Sequence, residues 1–219
     1  MTTPSNKRNR LMLLLIAGIP VIMILTATWL WFFVARGDLD LVGALGTSNQ
    51  GTLVQPPRPF ADLTARDAMQ REFSYANVDS RWTMLIPNSG ASCGPQCESR
   101  LYLTRQIHIA MGKDVGRIRR MYVADDVQPA ATQLSVDNLS DDTPLPDSFE
   151  QFLETQHRGL LPIQLGQEDF GAMFSEYSAD PNVWYLADPA GWIMMSYNAD
   201  VTYKDVISDL KFLLKNSSE

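Results

Sequence analysis

The 219-residue chain has little of what most reactive sites are built from: two cysteines, Cys93 and Cys97, and two histidines, His108 and His157. It has no glycine-rich phosphate loop, no Ser-His-Asp set and no His-rich cluster, so nucleotide-dependent and triad-hydrolase functions have little support. Positive charge is scarce as well. Residues 36–219 carry 15 basic and 25 acidic side chains, a formal charge of −10, which speaks against nucleic acid as a partner and against a second contact with anionic lipid. One stretch lacks charge altogether: from Leu11 to Ala35 there is none.

That uncharged run is 25 residues long. As a helix it would measure about 37 Å at about 1.5 Å per residue, enough to cross a hydrocarbon core of about 30 Å with some tilt. Its far end is aromatic (Trp29, Trp31, Phe32, Phe33), as suits side chains at a membrane interface. A cleavable signal would have a shorter apolar core ending in small residues, and "WLWFFVARG" offers a poor cleavage site. Lys7, Arg8 and Arg10 precede the run, whereas Arg36 and Arg58 after it are balanced by Asp38 and Asp40. The positive-inside tendency then gives a cytoplasmic tail over residues 1–10, a single membrane anchor over 11–35, and an exported remainder. In such a compartment two lone thiols tend to be oxidised together.

Residues 36–58 are rich in Gly, Pro and small polar side chains and read as a juxtamembrane linker, with "QPPRP" on an extended path. A domain over 59–219 follows. "RPFADL" and "FSYANVD" read as short strands and "RWTMLIP" as a buried one. Leu101, Leu103, Ile107, Ile109 and Met111 recur near helical spacing until Gly112. "RIRRMYVAD" is the next strand, and "QPAATQLSVDNLSDDTPLPD" is a polar surface excursion that passes at Asp147 or Ser148 to a helix "FEQFLETQH". "LLPIQLG" is a strand and "EDFGAMFSEYS" a helix. "VWYLAD" and "WIMMSYN" form a hairpin around "PAG", and "TYKDVISDLKFLLK" is an amphipathic helix capped at Asp200 or Thr202. Strands alternating with helices imply an α/β domain with a largely parallel sheet and an antiparallel edge. This order, with the cysteines between a buried strand and a helix, is that of a thioredoxin-like fold.

At that junction the helix dipole and free amides would stabilise a thiolate. Residues four apart in a helical turn lie about 6 Å apart at Cα, within the range of about 4.4–6.8 Å that a disulfide tolerates. Three readings of Cys93 and Cys97 stay open: a redox pair for thiol/disulfide exchange, two ligands for copper, or a structural staple.

The strand "WTMLIP" leading to "SCGPQC", with "YLADPAG" and an apolar strand later, resembles the Sco (SenC-like) family of membrane-anchored, thioredoxin-fold copper chaperones for cytochrome c oxidase. The resemblance spans roughly residues 55–215, and "CESRLYLTRQIHIAMGKDVGRIRRMYV" is similar to a divergent proteobacterial branch of it. It implies a role in respiratory oxidase assembly acting on thiols or on Cu(I), with an oxidase subunit or a copper or thiol assembly factor as partner. The family also uses a histidine eight residues before the Asp of its "Y-L-x-D-P-x-G" segment. Counting back from Asp188 gives Asp180 instead, a poor ligand for soft Cu(I). The resemblance further places a cis-proline at Asp180–Pro181. A general periplasmic thiol:disulfide oxidoreductase and a non-catalytic interaction scaffold are the alternatives.

Other residues have plainer readings. His108 is expected to be an ordinary helical residue and His157 a cation at a helix C-terminus. Lys113, Arg117, Arg119 and Arg120 read as a solvated basic patch or a docking surface for an acidic partner. Arg105, close to Gln106, either tunes a thiolate or pairs with an acid. Met194 and Met195 point to opposite faces of a strand and cannot clamp one metal together.

Overall fold

The computed structural model describes residues 5–35 and 49–217, which form two separate units divided after Ser48. Residues 1–4 of the expected cytoplasmic tail and 36–48 of the expected linker lie outside the described residues.

The first unit is one helix, α1 (Ser5–Ala35), with Pro20 inside it. Apolar side chains such as Leu14, Ile16, Ile22 and Trp31 are exposed along it. Thr26 and Thr28 donate their hydroxyls to the carbonyls of Ile22 and Ile24, one turn back, so neither leaves a polar group bare. Among the described residues no helix is long and apolar enough to cross a membrane.

The second unit is built on an eight-stranded mixed sheet. Its strands are β1 (Thr52–Pro59), β2 (Ala65–Asp67), β3 (Glu72–Phe73), β4 (Trp82–Ser89), β6 (Ile118–Asp125), β8 (Leu160–Leu165), β9 (Trp184–Ala187) and β10 (Trp192–Tyr197), in spatial order β1-β10-β9-β4-β6-β8-β2-β3. The central trio β4, β6 and β8 is parallel and the flanking pairs are antiparallel. A two-stranded parallel ribbon, β5 (Ser92–Cys93) with β7 (Gln133–Leu134), stands apart. The helices are α2 (Pro95–Ala110), α3 (Phe149–Gln156), α4 (Gln167–Met173) and α5 (Tyr203–Asn216).

β4 reads as an unbroken apolar run because both of its faces are covered. Leu85 joins Met121, Val123, Ile163, Phe170, Phe174 and Tyr185 on one side, while Met84 joins Ile107, Ile118, Trp184 and Leu210 on the other. The capping residues are Ser148 for α3 and Thr202 for α5, the latter in a capping box with Asp205. The hairpin around "PAG" forms as expected, closed by Gly191 at φ +87°, where a Cβ would lie 2.5 Å from that of Ala61.

Some sequence expectations change. "QPPRP" is extended but lies in β1, as an irregular stretch in the register against β10. "RPFADL" ends that strand and turns into a 3-10 helix at Phe60–Asp62, and "FSYANVD" holds another at Tyr75–Asn77. In both, an aromatic side chain is buried into the face of the sheet by a turn rather than by pairing. "EDFGAMFSEYS" splits at Phe174 into α4 and a 3-10 turn.

Candidate functional site

β4 ends in the turn at Gly90, whose φ of +83° suits a residue without a Cβ, and the chain re-enters extended backbone at Ser92–Cys93. Gly94 caps α2 and Pro95 takes its first position, where a missing N–H costs nothing. Cys97 thus stands in the first helical turn, where backbone amides have no intrahelical partner. Cys93 and Cys97 are joined in a disulfide with Cα atoms 5.1 Å apart, inside the tolerated range.

The pair is sealed. Cys93 is 0% exposed and Cys97 2%. Around them lie Ile86, Leu101, Tyr122, Leu139, Phe149 and Phe152. The polar excursion, residues 126–148, packs against this cluster as a strap through Leu134, Val136 and Leu139. Gln133 and Ser135 donate their backbone N–H groups to the carbonyls of Ala91 and Cys93, at 2.8 and 2.9 Å. Glu98, the residue after Cys97, accepts the N–H and the hydroxyl of Ser140 at 3.0 and 2.6 Å. Arg105 pairs with Asp141 at 2.5 Å and donates to Gln156. Partial burial raises the Asp141 pKa, but hydrogen bonds from Thr143 and Arg105 outweigh it and leave the carboxyl below its ordinary value. Arg105 therefore takes the second of its two expected roles: it pairs with an acid.

Arg100, one turn after Cys97, is buried and was not singled out by its sequence context. It donates to the carbonyls of Pro87, Gln96 and Val183, and its guanidinium lies 5.1 Å from the ring centre of Tyr177. Burial lowers its pKa, but from a value high enough to leave it charged. It ties the end of β4, the start of α2 and the approach to β9 into one corner. Glu98 was likewise not distinguished. The signal available was position: charged residues one and three places after Cys97, in the first turns of the helix.

The other candidates do not gather here. Asp180, at the place the resemblance assigns to a histidine, accepts both the N–H and the side-chain amide of Asn182 at 2.9 Å. Val183 donates its N–H to the Asp180 carbonyl, so Pro181 occupies the second position of a tight turn that its fixed φ suits. The cis bond expected at Asp180–Pro181 is not there: among the described residues the cis peptide is Gln55–Pro56. His108 donates from Nε2 to the carbonyls of Val115 and Ile118, and burial lowers its pKa.

His157 corrects its expectation. It is 2% exposed, packs edge-on against Phe152 and accepts from Arg120 at Nδ1, 3.3 Å away. Burial, with Arg120 and Arg105 nearby, pushes its pKa down to about 3, so it is a neutral core residue and not a helix-end cation. The basic patch is corrected as well. Arg119 and Arg120 point into opposite faces of β6 and are both buried, and Arg117 donates to the carbonyls of Leu214 and Ser217. Met195 is core and Met194 only half-buried, as their alternation requires.

For Cu(I) the donor set is short. Two thiolates would be available after reduction, but the carboxylate at position 180 is a hard ligand already engaged with Asn182. Among the described residues no group of three His, Cys, Asp or Glu side chains is arranged to hold a metal. The residues present do not make up the full soft ligand set.

No curated protein matches this sequence. Among solved structures the chain is similar to copper-bound Sco1 of yeast, at 15% identity over 79% of this chain and 97% of that one, with a TM-score of 0.52. It is also similar to copper-bound ScoI of Arabidopsis thaliana, at 12% identity over 71% of this chain and 97% of that one, with a TM-score of 0.50. These likenesses give the fold, a Sco-like thioredoxin fold. The sequence matches the family described as the transmembrane-like, thioredoxin-like, C-terminal domain over residues 82–161 and 139–217, all of the elements from β4 to α5. The chain belongs to that family of transmembrane-like, thioredoxin-like C-terminal domains.

Proposed function

We propose that this chain is an inner-membrane-anchored, periplasmic accessory of respiratory cytochrome c oxidase assembly, acting through the thiols of Cys93 and Cys97. The observation that carries the reading is the disulfide between a buried parallel strand and a helix N-terminus, in a fold shared with copper-bound Sco structures. The uncharged run from Leu11 to Ala35, with basic residues before it, supports the anchor and its orientation.

In exchange, a partner thiolate attacks the Cys93 sulfur, the Cys93–Cys97 bond breaks, and Cys97 leaves as a thiolate beside the free amides of α2. A second partner thiol, once deprotonated, attacks the mixed disulfide. It releases Cys93 as a thiol and leaves the partner oxidised, with two electrons now on the Cys93–Cys97 pair. The reverse sequence reduces a partner disulfide. Both directions require the strap to open, because neither sulfur is accessible. That same burial favours a second reading, a structural disulfide in an interaction scaffold.

The test is genetic. Deleting the gene should lower oxidase activity and the signal of the oxidase copper centre, and the wild-type chain should restore both. Cys93→Ser should restore neither. Full restoration by Cys93→Ser would move the protein to the scaffold reading, and an unaffected oxidase in the deletion strain would remove it from oxidase assembly altogether. An alkaline phosphatase fusion after Glu219 should be active; an inactive fusion would overturn the periplasmic placement.

A further inference from the structure

At the end of the sheet away from the disulfide, where β4 and β6 begin, the surface opens into a cleft of about 550 Å³. Its lining includes Asn77, Asp79, Arg81, His108 and Arg119. The basic run "GRIRR" delivers Arg119 here. As the second residue of β6 it faces the same side as Met121 and Val123, but at the bottom of the sheet, where the apolar layer stops.

Arg119 is held but not satisfied. Its Nη2 donates to the Asp79 carbonyl, its guanidinium carbon is 6.0 Å from the ring centre of Tyr75, and its buried Nη1 has no hydrogen-bond partner among the described residues. The residue is 8% exposed, and among the described residues no carboxylate forms an ion pair with it, Asp79 acting on it only from a distance. Buried guanidinium donors are normally spent, and Arg is the side chain whose planar fork fits oxyanions. The one acid in the lining, Asp79, is engaged with Arg81 at 2.7 Å, with its own side chain 76% exposed. His108 donates to two backbone carbonyls and adds no charge when neutral.

We propose that this cleft is a binding site for a small oxyanion, a carboxylate or a phosphate, with Arg119 as its fixed donor and Arg81 as a mobile one that leaves Asp79 to join the ligand. Two guanidinium groups then face one ligand, in a segment, residues 36–219, whose formal charge with both included is −10. The site lies apart from the disulfide and stands whether or not the oxidase-assembly reading holds.

The experiment uses the full chain in a neutral detergent. Inorganic phosphate and succinate are titrated separately at matched ionic strength, with chloride as control, and the thermal midpoint and binding heat are read. At least one oxyanion should raise the midpoint saturably where chloride does not. Phosphate alone assigns a phosphate ligand, succinate alone a carboxylate, and both a general oxyanion site. Arg119→Lys should weaken the apparent affinity at least about tenfold, since a point charge cannot replace the fork. Arg81→Gln, at a surface position that leaves the fold intact, should weaken it by about threefold to tenfold. If neither oxyanion differs from chloride, or if affinity survives in Arg81→Gln/Arg119→Lys, the proposal is overturned.

Discussion

The two ends of the parallel pair β4–β6 are opposites. At the end where the strands finish, the group with chemistry to offer is apolar, bonded to itself and set in a cluster against which residues 126–148 pack. At the end where they begin, the charged groups are only partly roofed, and two buried guanidinium nitrogens, Arg119 Nη1 and Arg120 Nε, have no hydrogen-bond partner among the described residues. A buried disulfide is at rest without a ligand, whereas a desolvated cation is not. Among the described residues neutral hydroxyls and a carboxylate oxygen are unpartnered at the disulfide end too (Tyr122, Thr132, Asp125), so the difference lies in the cation, whose desolvation costs most. The contrast also makes the ends testable separately.

The largest expected effect falls on the sealed end. Phe149 is fully buried, with ring centres of Tyr122 and Phe152 at 5.2 and 6.0 Å. Phe149→Ala should cost about 3–5 kcal/mol in urea unfolding and should also speed reduction of the disulfide by dithiothreitol. A loss below about 1 kcal/mol would mean that the roof packs loosely and that the sulfurs are hidden by something weaker than a core.

Acid should act first at the other end. His157 and Arg120 are buried together near the start of β6 and β8. The His157 pKa falls from 6.5 to about 3 on folding, so between those values the unfolded chain binds the extra proton. Stability should therefore fall as the pH drops from 6.5 towards 3 and be indifferent to this group above pH 7. The loss by pH 4 is on the order of 3 kcal/mol. His157→Asn, which cannot titrate, should flatten the profile over that window. Parallel profiles for the two proteins would show that His157 takes up its proton alike in the folded and unfolded chain.

The strap sets the next effect. Glu98 receives two hydrogen bonds from Ser140, and a charged acceptor of this kind contributes about 1.5–3 kcal/mol. If opening of residues 126–148 limits access to the sulfurs, Glu98→Ala should accelerate reduction by about tenfold or more, at about 1.4 kcal/mol per factor of ten. An unchanged rate would show that the disulfide is reached by another route and that the strap is not its gate.

How much of this could be read from the sequence follows from which interactions are local. β4, α2, β6, α3, the β9–β10 hairpin and α5 were legible because periodicity, caps and turn residues lie within each segment: Thr202 with Asp205, Ser148 with Gln151, Gly191 in its turn. The proximity of Cys93 and Cys97 was legible for the same reason. The strap was not, because its polar sequence conceals three apolar anchors, Leu134, Val136 and Leu139, whose partners are far along the chain. The arginines of "GRIRR" looked like one patch because a strand's alternation sends neighbours to opposite faces only once the strand is known to be buried on both. His157 was misread because its environment comes from Arg120 and Phe152 and not from the helix it ends.

The smallest effect is the most direct test of whether the two ends are independent. Arg81 and Asp79 form an exposed ion pair, and such pairs contribute about 0–1 kcal/mol. Arg81→Gln should change unfolding stability by no more than about 0.5 kcal/mol and leave the rate of disulfide reduction alone, while weakening oxyanion binding in the cleft. Trp82 to Ser89 separates this end from the sulfurs by about 23 Å of extended strand, a distance over which substitutions ordinarily add. In Arg81→Gln/Glu98→Ala the stability losses should therefore sum to within about 0.5 kcal/mol and the reduction rate should equal that of Glu98→Ala alone. A coupled result, with the cleft substitution altering how fast the disulfide opens, would show that β4 transmits between its ends and that the sealed and the unsatisfied site work as one.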